Sequence, residues 1–390
     1  MADPAPDRPA SRRPSRDPAN SDIPSTSAGP NASSAPDGTP PRSAPSASGD
    51  RAEKPRPPAP AGVAGGQDTA PARPRLYLID GLRFVAAAAV MLYHYTALGY
   101  RHWGAEAGEA FPEFGPYTLY AAIAPELFFL ISGFVILMTA WGRGVPHVIA
   151  SRVSRLYPTY WFAVITTSIL LVGVWRGAKE VDWGDALINV TMLQAAFGRP
   201  HIDGVYWTMW VELRFYVLIV IFVTWGITRR RILWVCLLWP LAAEAARLWA
   251  TWPWASTILI SGYAPLFAGG MLLYLLHRDG HRLVPWALLG MNVVLAMSHV
   301  VPNYTTVVAD NTGFEASGTV LALVLLSCFV GVALVALTPL GRVQWRWLVP
   351  LGALTYPLYL LHEWWGWWFI AHVHQTLGRW PTLLLTCAIA

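Results

Sequence analysis

Arg83 and His94 are the first residues along the chain that are able to do chemistry inside a long apolar stretch, IDGLRFVAAAAVMLYHY. On an α-helix their spacing brings both side chains to within roughly 20° of one face, about 16 Å apart along the axis. An imidazole titrates near neutral pH, so His94 is a candidate general base. A single histidine in such a helix is also compatible with an ordinary hydrogen-bonded packing residue.

Two carboxylates interrupt later apolar segments. Glu126 lies in PELFFLISGF and Glu212 lies in VYWTMWVELRFYVL. A charge inside a membrane-spanning helix costs several kcal/mol unless it is compensated, so both are candidates for function. Glu126 is also compatible with a protonated or paired carboxyl that helps helices to pack. Counting helical rise predicts that Glu212, His94 and His362, which lies in TYPLYLLHEWW, occupy one layer of the bundle.

Two arginines form a pair in the segment RVSRLYP. Arg152 and Arg155 are three residues apart and therefore share a helix face. Two guanidinium groups in that arrangement suit bidentate phosphate binding, although basic residues are also common as plain anchors at the cytoplasmic membrane surface. The same spacing predicts that Glu244 and Arg247 pair with each other.

The composition indicates the elements that carry these residues. The chain has 390 residues, 54% of them hydrophobic and only 13% charged, and its mean hydropathy is +0.39. Soluble domains average about 25% charged residues, so this is an integral membrane protein. Its three widely spaced cysteines predict neither a disulfide framework nor a metal site. Dinucleotide and P-loop fingerprints are missing, and nothing beyond a net charge of +5 favours a nucleic-acid partner.

The chain divides into a tail and a membrane domain. Residues 1–75 are rich in Pro, Ala and Ser and predict a disordered tail. Residues 76–390 predict an all-α, polytopic transmembrane helical bundle of about ten spans. The predicted spans are 79–99, 117–141, 156–175, 206–227, 232–250, 257–276, 284–301, 318–337 and 348–371, with a tenth that begins at Pro381.

Basic residues predict the orientation of the bundle. If the N-terminus is cytoplasmic, the inner loops contain arginine clusters such as Arg229, Arg230 and Arg231, whereas the predicted outer loop 302–317 contains no Lys or Arg. The positive-inside rule then predicts a multi-pass plasma-membrane protein with a cytoplasmic N-terminus, surrounded by membrane lipids. The sequence does not determine the oligomeric state.

Five segments together resemble the membrane acyltransferase-3 family, the bacterial integral membrane O-acyltransferases that modify sugars and related glycans. DGLRFVAAAAVMLYHY is similar to the opening span of that family, with its Arg and His separated by ten residues. PELFFLISGFVI, RVSRLYP, YWTMWVELRFY and TYPLYLLH resemble its later segments and occur in the same order.

The resemblance implies transfer of an acyl group, acetyl first of all, from acyl-CoA to a hydroxyl of a sugar, glycan or macrolide-type acceptor, without a metal. It implies that His94 acts as the base and that Glu126 or Glu212 orients it. The remaining implied roles are CoA binding by Arg83, Arg152 and Arg155, and acceptor binding by Trp207, Tyr216 and His362. A proton-coupled transporter that relays protons through His94, Glu126 and His362 is the alternative.

Overall fold

The computed structural model describes residues 76–249 and 253–390, so the predicted tail at 1–75 lies outside the described residues. The regular secondary structure of the described residues is entirely helical and contains no β-strand, as predicted. Their α-helices are α1 (Tyr77–Tyr93), α2 (Gly115–Thr118), α3 (Ala124–Ala140), α4 (Val145–Ser168), α5 (Trp183–Asn189), α6 (Trp207–Trp225), α7 (Arg229–Leu248), α8 (Pro253–Ile258), α9 (Ala264–Asp279), α10 (Leu283–Thr312), α11 (Gly318–Leu337), α12 (Leu348–Leu377) and α13 (Arg379–Ile389).

Several of these helices are able to cross a membrane. By length and composition, six helical segments in the described ranges meet that requirement, namely Tyr77–Leu98, Gly115–Ala140, Val145–Val174, Gly204–Trp225, Leu283–Thr312 and Gly318–Leu337. The other predicted spans correspond to α7, α9, α12 and α13, which are helical but shorter, more charged or richer in polar and aromatic residues. The count of about ten spans therefore stays a prediction.

One loop prediction is wrong, and the difference matters for the site. Residues 302–317 were expected to form an outer loop, but α10 continues through Pro302 to Thr312. The extension is amphipathic, because Tyr304 and Val308 on one of its faces are buried in the protein. Burial of that face explains why the helix does not end at the proline. Tyr304 is thereby carried into the interior of the bundle.

Helix α9 lies in the core, where every residue from Ala264 to Leu276 is buried. It approaches α3 closely at Gly133 and Gly270. A Cβ added at Gly133 would lie 2.1 Å from the Phe267 carbonyl oxygen, and one added at Gly270 would lie 2.0 Å from the Leu130 carbonyl oxygen. Only glycine permits such backbone contact, and small residues are the usual means of close helix packing in membranes.

A second close contact joins α1 to α12 and positions the site. A Cβ at Gly366 of α12 would lie 2.2 Å from the Tyr95 hydroxyl, and one at Gly352 would lie 2.6 Å from the Cβ of Asp80. After Tyr93, α1 continues as a π-helical turn from His94 to Leu98. Such turns are frequent at functional sites because they redirect side chains without ending the helix.

Candidate active site

His94 and His362 form a buried pair between α1 and α12. The Nδ1 atom of His94 lies 2.6 Å from the Nε2 atom of His362. The two residues are 5% and 1% exposed. Their separation of 268 residues along the chain means that helix packing, and not local sequence, brings them together.

The hydrogen bonds around His362 determine which nitrogen of each ring carries a proton. His362 Nδ1 lies 2.9 Å from the Tyr359 carbonyl oxygen and 3.1 Å from that of Leu358. A carbonyl oxygen only accepts, so His362 Nδ1 donates, and the Nε2 of the neutral ring is an acceptor. His94 Nδ1 must then donate to His362. The Nε2 atom of His94 keeps its lone pair, which is the form a general base requires.

Main-chain contacts hold the π-helical turn in place. The Trp367 indole N–H donates to the His94 carbonyl oxygen over 2.9 Å, and the Tyr95 hydroxyl donates to the His362 carbonyl oxygen over 2.7 Å. A Cβ at Gly99 would lie 2.5 Å from both the His94 carbonyl oxygen and the Trp367 indole nitrogen. The imidazole pair is therefore fixed from both helices.

A small cavity of about 30 Å³ lies beside His94. Its polar and aromatic lining residues are Tyr93, His94, Trp207, Tyr304 and Tyr359. That volume is enough for about one water molecule but too small for a sugar ring. An acceptor hydroxyl can reach His94 here only if neighbouring side chains move apart. Trp207, predicted to bind the acceptor, does line this cavity.

Glu126 lies next to this cavity without contacting His94 through a hydrogen bond. It stands in the first turn of α3 and is fully buried. The Tyr304 hydroxyl donates to Glu126 Oε1 over 2.9 Å, while Oε2 has no hydrogen-bond partner among the described residues. The structure therefore pairs His94 with His362, not with the carboxylate that was expected to orient it.

Glu212 does not lie in the layer of the two histidines, contrary to the prediction. Tyr216, predicted to bind the acceptor, contacts Glu212 and does not line the cavity beside His94. Glu212 accepts a hydrogen bond from Ser132 over 2.9 Å and another from the Tyr216 hydroxyl. His94 lies level with the first turn of α6, since Trp207 and the residues before it line its cavity. Glu212 comes five residues after Trp207, and helical rise places it about 8 Å farther into the bundle, toward Arg83.

A larger cavity of about 480 Å³ lies at the other end of α1. Arg83 and Arg155 line it together with Asp80, Thr159 and Tyr356. The charges of Arg155 and Glu212 both act on Arg83. The structure thus brings Arg83 and Arg155 into one polar cavity, as the predicted phosphate-binding role requires.

Arg152 is placed differently from the other two predicted arginines. It is only 8% exposed and does not line the cavity of Arg83 and Arg155. Its guanidinium donates to the Thr139 hydroxyl over 3.1 Å and to the Ser151 hydroxyl over 3.4 Å. Arg152 therefore joins α4 to α3.

The predicted pair of Glu244 and Arg247 is confirmed, with a hydrogen bond of 2.9 Å.

Two carboxylates near the histidines, Asp203 and Glu363, were not among the predicted site residues. Val205 N–H donates to Glu363 Oε2 over 3.1 Å and to Asp203 Oδ1 over 3.2 Å. Glu363 carries the same signal as Glu126, a charge inside an apolar helix, and was recognisable by that rule. Asp203 gave no such signal, because it lies in a loop.

No group of three or more metal-ligating side chains occurs within residues 76–249 and 253–390.

Comparison with known proteins decides the family. A family model described as an acyltransferase domain matches residues 76–390. The chain belongs to the acyltransferase-3 family. With six helical segments able to cross a membrane, this acyltransferase is a membrane protein. The match supports an enzyme and gives no support to the transporter alternative. No match was found among curated proteins or among solved structures.

Proposed function

We propose that this acyltransferase moves an acyl group, acetyl as the first candidate, from acyl-CoA to a hydroxyl of a sugar, glycan or macrolide-type acceptor. One observation carries the proposal: α1 joins a cavity lined by arginines to a histidine whose free nitrogen is a base. Arg83 and His94 are about 16 Å apart by helical rise, a separation suited to an extended pantetheine arm. The phosphates of one donor molecule then lie at the Arg83 end of α1, and its thioester lies at the His94 end.

The donor enters at the arginine end, which we assign to the cytoplasmic side of the plasma membrane. Arg83 and Arg155 hold CoA phosphates in the cavity of about 480 Å³. A neighbouring cavity of about 690 Å³ shares Leu76 with it and presents Arg342 and His277. This second space suits the nucleotide end of CoA. Arg152 supports the cavity through its hydrogen bond from α4 to Thr139 of α3.

The reaction proceeds as a direct attack at the thioester. The acceptor hydroxyl oxygen bonds to the carbonyl carbon while His94 Nε2 takes its proton, and the carbon–sulfur bond then breaks. The leaving thiolate recovers that proton from the His94 imidazolium, so the products are the acyl ester and CoA thiol. His362 accepts the Nδ1 hydrogen bond throughout and keeps His94 in the basic tautomer, the orienting role of the acid in a catalytic triad.

The acceptor approaches from the His94 end, where aromatic rings are concentrated. His102 stacks on Trp367 at a ring separation of 4.7 Å, and Trp364 lies edge-on to Trp367 at 5.1 Å. Trp175 meets Trp364 at 6.0 Å. Aromatic surfaces with a few polar groups are typical of binding sites for ring-shaped ligands such as sugars.

Acyl transfer from labelled acetyl-CoA in isolated membranes tests the proposal, with candidate acceptors and mass spectrometry of the products. We expect the wild type to form a labelled ester and His94→Ala to lose at least about 100-fold in rate. His147→Ala, at an exposed histidine of α4, is the matched control. Full activity of His94→Ala refutes the base assignment, and substrate flux without acetyl-CoA consumption favours the transporter.

The order of the reaction is tested separately by steady-state kinetics. Direct attack requires donor and acceptor to be bound together, and predicts sequential kinetics. An acyl group carried on His94 instead predicts ping-pong kinetics and a burst of CoA release before the acceptor binds.

A further inference from the structure

Asp203 and Glu363 form a buried carboxyl pair beside the two histidines. They are 0% and 5% exposed, and a single backbone N–H, that of Val205, donates to both. Asp203 Oδ2 is fully buried and has no hydrogen-bond partner among the described residues. Two ionised carboxylates in that arrangement repel each other strongly, whereas one shared proton removes the repulsion and adds a hydrogen bond.

We expect the shared proton to reside on Asp203. Burial, and then the charge of Glu363, raise the pKa of Asp203 well above its usual range. Lys179 lies near both groups, and its ammonium is itself held by the carbonyl oxygens of His201 and Ile202 at 2.7 and 3.4 Å. The pair as a whole therefore carries one negative charge, which is located on Glu363.

The backbone holds this charge close to His94. A Cβ at Gly204 would lie 2.7 and 2.8 Å from the two Glu363 carboxylate oxygens, so the carboxylate packs directly on the main chain. Gly204 and Val205 line the same cavity as His94. Glu363 also follows His362 in α12, and its charge acts on His94.

Building on the proposed function, we propose that Asp203 and Glu363 are positioning residues that supply one shared negative charge to the His94–His362 pair. When His94 takes the acceptor proton, a buried imidazolium forms. The carboxylate of Glu363 is its counter-charge, while Asp203 and the Val205 N–H hold that carboxylate in place. Neither carboxyl touches the reacting atoms. Each acts through the two imidazoles.

The other groups around His94 do not supply this charge. They come from six parts of the fold and comprise Tyr93 of α1, Glu126 of α3, Tyr304 of α10, Tyr359 and His362 of α12, His102, and Lys179. Tyrosines and imidazoles are neutral or cationic near neutral pH. Glu126 accepts a hydrogen bond from Tyr304 and forms none with His94.

Three isosteric variants test the pair: Asp203→Asn, Glu363→Gln and the double variant. Each single variant leaves one carboxyl to carry the charge, so we expect losses in kcat below about 10-fold. The double variant has none, and we expect it to lose about 100-fold, within the range typical of acid–base catalysis. Without the counter-charge the imidazolium releases its proton more readily, so the acidic limb of the pH–rate profile moves to lower pH.

The outcomes separate charge from structure. Asp310→Asn, at an exposed position of α10, is the control and keeps the wild-type profile. Three results would each overturn the proposal. The double variant could keep wild-type activity, or each single variant could lose as much activity as the double variant. The third is a loss of kcat while the acidic limb of the pH–rate profile stays in place. If thermal unfolding shows that the double variant is not folded, Glu363→Gln tests the proposal instead. In that variant the negative charge moves to Asp203, so the acidic limb must shift to lower pH by a smaller amount than expected for the double variant.

The same assay distinguishes this proposal from the proposed function. A wild type that transfers no acyl group from acetyl-CoA refutes the function itself. An active wild type whose double variant is unaffected refutes the carboxyl pair alone.

Discussion

Replacing His362 by phenylalanine removes the acceptor that keeps His94 in its basic tautomer. The hydrogen bond lost is the contact of 2.6 Å between His94 Nδ1 and His362 Nε2, in a site where both rings are nearly fully buried. A buried donor left without a partner costs about 1–3 kcal/mol. At about 1.4 kcal/mol for each factor of ten, kcat is expected to fall roughly 5- to 150-fold.

The assay measures kcat and the KM for acetyl-CoA on detergent-purified protein. We expect KM to stay near the wild-type value, because the donor cavity lined by Arg83 lies at the other end of α1. His362→Gln is the matched control, since its amide oxygen can accept from His94, and we expect a smaller loss. Full kcat in His362→Phe, with the protein folded, refutes the tautomer argument. A raised KM with unchanged kcat shows that His362 contributes to binding instead.

Three further predictions follow from the donor cavity, the Tyr304 hydroxyl and the helix contact in the core. Arg155→Ala should raise the KM for acetyl-CoA about 10-fold, as expected from losing a charged hydrogen bond, whereas Arg143→Ala, at an exposed turn, should leave it unchanged. Tyr304→Phe removes the hydroxyl that donates to the buried Glu126 carboxyl and should lower the free energy of unfolding by about 1–3 kcal/mol. Thermal unfolding at wild-type stability would contradict this prediction. Gly133→Ala places a Cβ 2.1 Å from a backbone oxygen and should destabilise the folded protein by about 1–3 kcal/mol. Gly290→Ala, where a Cβ meets open space, should leave stability unchanged. Thermal unfolding in detergent measures both variants.

Local pattern was sufficient to predict the helices and the residues worth attention. The apolar segments form helices that overlap the predicted spans, because helical hydrogen bonds and apolar side chains are local properties. Helix α4 nevertheless begins at Val145 and not at residue 156 as predicted. Pairs within one helix, such as Glu244 and Arg247, were equally predictable. The end of α10 was not, because burial of Tyr304 against other helices overrides the helix-ending tendency of Pro302.

Depth along a helix was harder to predict than helix position. Glu212 was expected beside His94 because both were counted from estimated span ends. The structure instead places it toward Arg83, since α6 begins almost level with His94. An error of one residue in the predicted start of a helix changes the predicted depth of its side chains by about 1.5 Å. When residues on two helices are compared, the errors of both helices add.

The amino-acid sequence by itself determined the membrane class, the helical architecture, the family and the short set of charged residues inside apolar segments. It left open which of those residues meet. His94 and His362, or Asp203 and Glu363, are far apart in the chain. The close glycine contacts between α1 and α12, together with the loop before α6, bring them near each other. Hydrogen-bond partners depend on distances of a few tenths of an ångström across helices, and helix packing sets those distances.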